Sequence, residues 1–120
     1  MHSYRDLIVW QRAMDLVVEI YKLTSQFPKE ELYSLTSQIR RAAISIPSNI
    51  AEGRFRGTKS DYSHFLRYAY ASGAELETQL EISKRLSFRT PVEFEKSDRY
   101  LEECMRMLNV MIRNLNPSGA

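Results

Sequence analysis

The stretch Gln38–Gly53, QIRRAAISIPSNIAEG, decides how the rest of the chain is read. Its apolar residues Ile39, Ala42/Ala43, Ile46 and Ile50 recur at steps of three and four, the spacing of one helix face. Pro47 sits in the middle of that pattern. Proline has no N–H, so the carbonyl of Ala43 loses its usual donor, and the ring crowds the same carbonyl. In a helix interior this costs about 3 kcal/mol or more. Two structures absorb the cost. The helix can kink, with Ser45, Ser48 or a water satisfying the freed carbonyl. Alternatively, one helix stops near Ser45 and another starts at Pro47. The apolar stripe keeps its phase across the proline, which favours one helix with a kink near Pro47.

Beside that stripe runs a polar line, Arg41, Ser45, Asn49 and Glu52, which Gln38 and Arg56 extend. Arg41 and Glu52 lie about 16 Å apart along a helix axis, too far to pair with each other. Each is expected to find its partner on a second helix, a second subunit or a ligand, unless the line is simply solvated.

Working outward, three more helical segments come into view. From about Asp6 to Gln26, Leu7, Trp10, Met14, Val17 and Tyr21 form one apolar line and Val9, Ala13, Leu16, Ile20 and Leu23 a second. A face this wide implies contact with two neighbours. Asp6 is the expected N-cap, and Phe27-Pro28 ends the segment. The central helix is expected from about Glu31 to Arg56, its stripe beginning at Leu32 and Leu35, with Gly53 and Gly57 supplying its end. From about Ser60 to Leu86, the stripe is Tyr62, Phe65/Leu66, Ala69, Gly73, Leu76, Leu80 and Ser83. Thr58 with Asp61, or Ser60, caps it, and the small Ala69 and Gly73 permit close approach by a neighbour. Thr90-Pro91-Val92-Glu93 opens the last segment with an N-cap threonine, a proline and an early acid. Phe94, Leu101, Met105, Leu108, Ile112 and Leu115 carry its stripe to Asn116. No run alternates with period two. Four long amphipathic segments with short connections predict an all-α, antiparallel up-down four-helix bundle. One domain over residues 1–116 is expected, with a frayed tail at 117–120.

The 120 residues suffice for one such core. With 43% hydrophobic and 27% charged residues, the composition is that of a soluble globular chain and excludes a disordered one. Only 4 Gly and 4 Pro argue against a loop-rich fold. Net charge is +2, too small to imply nucleic acid by itself, but its distribution is uneven. Arg40, Arg41, Arg54, Arg56 and Lys59 are opposed locally only by Glu52, while Glu75, Glu77 and Glu81 cluster further on. Such a basic segment suits phosphate, a membrane surface or an acidic protein, or is a solvated face. Cys104 is alone, which fits a reducing compartment. Met1–Asp6 lacks the apolar run of a signal peptide, and no segment approaches the ~20 apolar residues of a membrane span. A cytoplasmic location, without membrane association, is expected.

The residues offer little for catalysis. A di-metal carboxylate site in a bundle needs paired Glu-x-x-His motifs. The two histidines are His2 and His64, and the nearest motif, Asp61-Tyr62-Ser63-His64, occurs once, where Asp61 is a first-turn acid. Cys104 falls in the apolar stretch of the last helix, where a lone cysteine serves as a small hydrophobe. The run EGRFRG lacks the lysine and spacing of a phosphate loop. No enzyme, metal or cofactor is expected. In DYSHFLRYAY, helical spacing accounts for Tyr62, Phe65 and Ala69 as core. It leaves Arg67, Tyr68 and Tyr70 unplaced, and an aromatic and basic surface could stack bases.

Three stretches, YRDLIVWQRAMDLVVEIYKLT (4–24), LTSQIRRAAISIPSNIAEGRFR (35–56) and DYSHFLRYAYASGAELETQL (61–80), resemble a known family. It is the four-helix-bundle family named after reading frames in intervening sequences of bacterial 23S ribosomal RNA genes. The Arg40–Ala43 and Ile46–Gly53 motifs are its most specific part, and the resemblance weakens after about Ser87. It implies a ring-shaped homopentamer, and likeness to the accessory variability protein of diversity-generating retroelements, a basic barrel that associates with a reverse transcriptase and with nucleic acid. Carried over, Arg41, Asn49 and Glu52, with Ser45 and Pro47 beside them, become structural or interface residues. Arg40, Arg54 and Arg56, with Lys59, become candidates for a nucleic-acid surface. The expected function is a non-enzymatic homo-oligomeric scaffold that associates with RNA or DNA. The alternative is a protein-interaction module whose basic and acidic patches meet subunits or a protein partner.

Overall fold

A computed structural model describes residues 3–116. Its long elements are α1 (Ile8–Thr24), α2 (Leu35–Arg56), α3 (Lys59–Arg85) and α4 (Glu95–Leu115), with single 3-10 turns at Tyr4–Asp6, Lys29–Glu31 and Pro91–Phe94. Contacts between the helices run in opposite directions, which makes each neighbouring pair antiparallel. Gly53 abuts Phe65 while Ser45 meets Ser72 on α3. Arg12 pairs with Glu103 while Glu19 meets Lys96. Lys84 bonds Asp98 while Ser63 meets Asn116. Each helix packs on its two sequence neighbours around a closed square, α1 returning to α4. This is the four-helix bundle expected from the pattern.

The core takes one residue set from each stripe. Ala13, Leu16 and Ile20 of α1, Ile39, Ala43, Ile46 and Ile50 of α2, Leu66, Ala69 and Leu76 of α3, and Cys104 and Leu108 of α4 are fully buried. Of the two apolar lines on α1, the one through Val9, Ala13, Leu16, Ile20 and Leu23 enters the core. The other stays on the shoulder, with Met14 and Tyr21 exposed.

α2 is one continuous helix with Pro47 inside it, so the two-helix alternative does not occur. Gly53 is not a stop. It is buried within α2, where a Cβ would stand 2.7 Å from Phe65 Cβ, so the missing side chain lets α3 approach. Gly57 is the real stop, at φ 84°. Helix α2 also begins later than expected, at Leu35, because Lys29–Glu31 close a separate 3-10 turn and Leu32 is exposed. Asp6 is likewise not the N-cap of α1. It lies in the Tyr4–Asp6 turn, whose Arg5 N–H donates to Ser3 Oγ (2.9 Å), and Leu7 takes the cap position. The cap of α3 forms as expected, Thr58 Oγ1 accepting from the Asp61 N–H (3.1 Å).

The α3–α4 connection closes by a pair of backbone bonds that the sequence did not announce. The Phe88 N–H donates to Ser83 O (3.1 Å) and the Ser87 N–H to Lys84 O (3.0 Å), with Ser87 at φ 55°. This is a Schellman closure with serine in the position glycine usually takes. It turns Phe88 back onto Phe27, ring centroids 5.3 Å apart, which in turn meets Phe94. At the start of the last segment, the Thr90 hydroxyl donates to the Glu93 carboxylate (2.9 Å), and α4 proper starts at Glu95. The expected frayed tail at 117–120 lies outside the described residues.

Candidate nucleic-acid interface

The tight reversal at Gly57-Thr58 brings the last turn of α2 against the first turns of α3. Arg54, Arg56 and Lys59 therefore gather at one corner of the bundle, carried by two rigid helix ends. Arg54 is half-buried with its guanidinium over the Tyr62 ring at 5.7 Å. Arg56 is exposed, lies over the Phe65 ring at 4.8 Å and pairs with Glu52 (3.2 Å). Lys59 is exposed. Burial raises the Tyr62 phenol above its ordinary value of 10.0, and the Arg54 charge partly offsets this.

Aromatic side chains interleave with these cations. His64 Nε2 and the Tyr68 hydroxyl are 2.7 Å apart, with ring centroids at 4.5 Å. Tyr68 meets Phe65 edge-to-face at 5.7 Å. Both His64 and Tyr68 are exposed. On the α4 side a polar cleft of about 270 Å³ is lined by Lys59, Ser60, Ser63, His64, Arg67 and Asn116. Asn116 Nδ2 donates to Ser63 Oγ across it (2.6 Å). The sequence left Tyr68 unplaced. The usable signal was that His64 and Tyr68 stand four apart and off the stripe Tyr62–Leu66–Ala69.

The other candidate residues divide. Arg40 is not part of this corner. It lies about 21 Å along α2 from Arg54, half-buried, its Nε donating to Thr24 Oγ1 (2.9 Å) and its guanidinium over Tyr21 at 4.5 Å. The basic segment of the sequence is thus two separate places, because a helix spreads it along its length. Ser45 and Asn49 tie α2 internally and to α3: Asn49 Nδ2 donates to Ser45 O (2.8 Å) and Oγ (2.9 Å), and Ser72 Oγ donates to Ser45 Oγ (2.9 Å). Glu52 has its partner on its own helix, Arg56. Arg41 is exposed and makes no ion pair among the described residues. Pro47 is buried beneath an apolar groove of about 340 Å³ lined by Trp10, Met14, Val17, Ile44 and Ala51. On the same side of α2, Phe55 is 85% exposed. A second apolar groove, about 580 Å³, lies between Ile8 and Val110 at the α1–α4 seam.

Other chemistry is sparse. Cys104 is fully buried, and desolvation pushes its thiol up to about 12, so it is no nucleophile near neutral pH. Among the described residues no three His, Cys, Asp or Glu side chains come together as a metal site. No helix is long and apolar enough to cross a membrane among the residues described. The acidic residues Glu77 and Glu81 line a cleft of about 660 Å³ at the other end of α3, where Lys84–Asp98 (2.7 Å) and Arg85–Glu81 (3.1 Å) already pair.

No curated protein matches the chain. A solved structure does: a protein of unknown function from the S23 ribosomal protein family of Bacteroides thetaiotaomicron VPI-5482. It is 24% identical, at TM-score 0.79, over 88% of this chain and 99% of that one, and it shares the fold. Residues 5–110 match the family described as 23S rRNA-intervening sequence protein. With the resemblance at Arg40–Gly53 extended over nearly the whole bundle, the chain belongs to the 23S rRNA-intervening sequence protein family.

Proposed function

We propose that this protein is a non-catalytic, cytoplasmic, homo-oligomeric scaffold that holds nucleic acid, RNA foremost, on the basic corner between α2 and α3. The observation that carries the reading is the corner itself: Arg54, Arg56 and Lys59 on rigid helix ends, interleaved with exposed aromatic rings. One protomer at +2 attracts phosphate weakly. Several copies of the corner in one assembly act together, because counterion release grows with the number of phosphates neutralised. A pentameric ring, which the family resemblance implies, would present five. Phosphate contacts of this kind position a strand with little choice of sequence. The exposed apolar side of α1 and α2, with Met14, Ile44 and Phe55, supplies the subunit contact.

The test is fluorescence anisotropy with a structured RNA and a matched duplex DNA across a salt series. Binding is expected to weaken steeply with salt. Replacing Arg54, Arg56 and Lys59 by Gln is expected to weaken binding and to flatten the log–log slope by about 1 for each phosphate that is no longer neutralised. An unchanged slope in the triple variant, or no binding at low salt by the assembled protein, overturns the reading. The second outcome favours a protein-interaction module. That reading has its own support in the second exposed apolar groove, between Ile8 and Val110 at the α1–α4 seam.

A further inference from the structure

We propose that the α2–α3 corner selects unpaired nucleotides, whose bases stack on the Tyr68–His64 ring pair while their phosphates lie along Arg56 and Lys59. This rests on the nucleic-acid reading above and names the strand class it takes. Three features carry it. First, Tyr68 and His64 are exposed aromatics on a helix surface where the core has no use for them: the buried stripe of α3 passes through Ser63, Leu66 and Ala69 instead. Second, the rings are held in advance. The 2.7 Å bond between His64 Nε2 and the Tyr68 hydroxyl, and the edge-to-face contact of Phe65 with Tyr68, fix their orientation, so little rotamer freedom is lost on binding. Third, cations flank the rings on both sides. Arg56 reaches over Phe65 from α2, and Lys59 lines the same polar cleft as His64.

An unpaired base offers its π-face to such a platform, whereas a duplex keeps its base faces inside its own stack. Stacking is also tolerant of sequence, since every base has a face to offer. The corner is therefore a sequence-tolerant single-strand site, open to RNA and DNA strands alike.

The experiment is anisotropy at low salt with four labelled probes of equal length: oligo-U RNA, oligo-A RNA, the matching single-stranded DNA and a blunt duplex. The assembled wild type is expected to bind the single strands more tightly than the duplex. Tyr68→Ala is expected to lower single-strand affinity roughly tenfold and leave duplex binding unchanged. Tyr68→Phe, which keeps the ring, should retain most of the affinity. Comparable binding of the RNA and DNA strands is expected, and a strong preference for either would overturn the claim that the site takes both alike. Equal binding of single strand and duplex, or Tyr68→Ala binding single strands as wild type does, overturns the inference while leaving the scaffold reading intact. No binding to any probe overturns both. Circular dichroism checks the fold of each variant, and Tyr68 lies on the surface, where its truncation opens no cavity in the core.

Discussion

Gly53 sets how closely α2 and α3 approach. Its Cα faces Phe65 Cβ and the Tyr62 ring, so an added methyl would have to push backbone or a ring root aside. Gly53→Ala is expected to cost about 1–3 kcal/mol of stability, read as a lowered urea midpoint. The helix-propensity gain of alanine, about 1 kcal/mol, offsets only part of that strain. The loss should reach the corner as well, since Tyr62 and Phe65 are the rings on which Arg54 and Arg56 rest. At this scale the sequence misread Gly53 as a terminator. A glycine looks the same in a string whether it frees a backbone angle or makes room for a neighbour. Only the position of Phe65 tells them apart.

The helix ends show where local chemistry suffices and where it does not. Thr58 and Gly57 were legible because capping and left-handed geometry depend on residues one to three positions away. The Ser87 closure was not, because serine carries no positional mark of glycine's kind. Its φ of 55° costs a residue with a Cβ about 1 kcal/mol or more. Ser87→Gly is therefore expected to raise stability by about 0.5–1 kcal/mol, measured as an increased urea midpoint with an unchanged slope. Before α4, bonds from Arg89 and Thr90 hold the Glu93 carboxyl below its ordinary value of 4.5. A depressed folded value contributes stability above the unfolded one. That contribution is present above pH 4.5 and is lost as pH falls through the folded value. Glu93→Gln should thus be less stable than wild type near pH 7, and the gap should close on acidification. Urea midpoints at the two ends of that range check it. A gap that persists in acid would mean that packing, not charge, is what the substitution removes.

For the whole molecule, the proposed assembly would rest on one exposed side of α2. Arg41, Ile44, Ser48 and Phe55 share that side, and Ile44 and Phe55 are exposed apolar residues bordered by charge. Light scattering of the wild type is expected to give a multiple of 14.1 kDa, five times that mass if the ring implied by resemblance forms. Arg41→Ser with Phe55→Ser should shift the mass toward a single chain. Both side chains are exposed, so the protomer's helix content should persist. An unchanged mass would move the contact elsewhere, the α1–α4 groove at Ile8 and Val110 being the next surface to alter. The Glu52–Arg56 pair is an exposed i,i+4 contact that contributes little by itself. A large effect of Glu52→Ala on assembly would therefore report a partner beyond its own helix.

By itself, the sequence determined four helices, their antiparallel bundle and most of the buried stripe, and through Arg40–Gly53 it determined the family. These follow from periodicity, caps and turn residues, which act over one or two turns and leave their spacing in the string. The candidate surface was legible only as a basic segment. The tertiary structure decided that Arg40 faces Tyr21 and Thr24 while Arg54, Arg56 and Lys59 share a corner. It also decided that Ser45 and Asn49 bind inward, and that Tyr68 and His64 lie outside the core. The physical reason is that a helix spends about 1.5 Å per residue along its axis and about 100° around it. Charges close in sequence are thereby carried apart, and the reversal at Gly57-Thr58 brings together ends that the sequence alone does not pair.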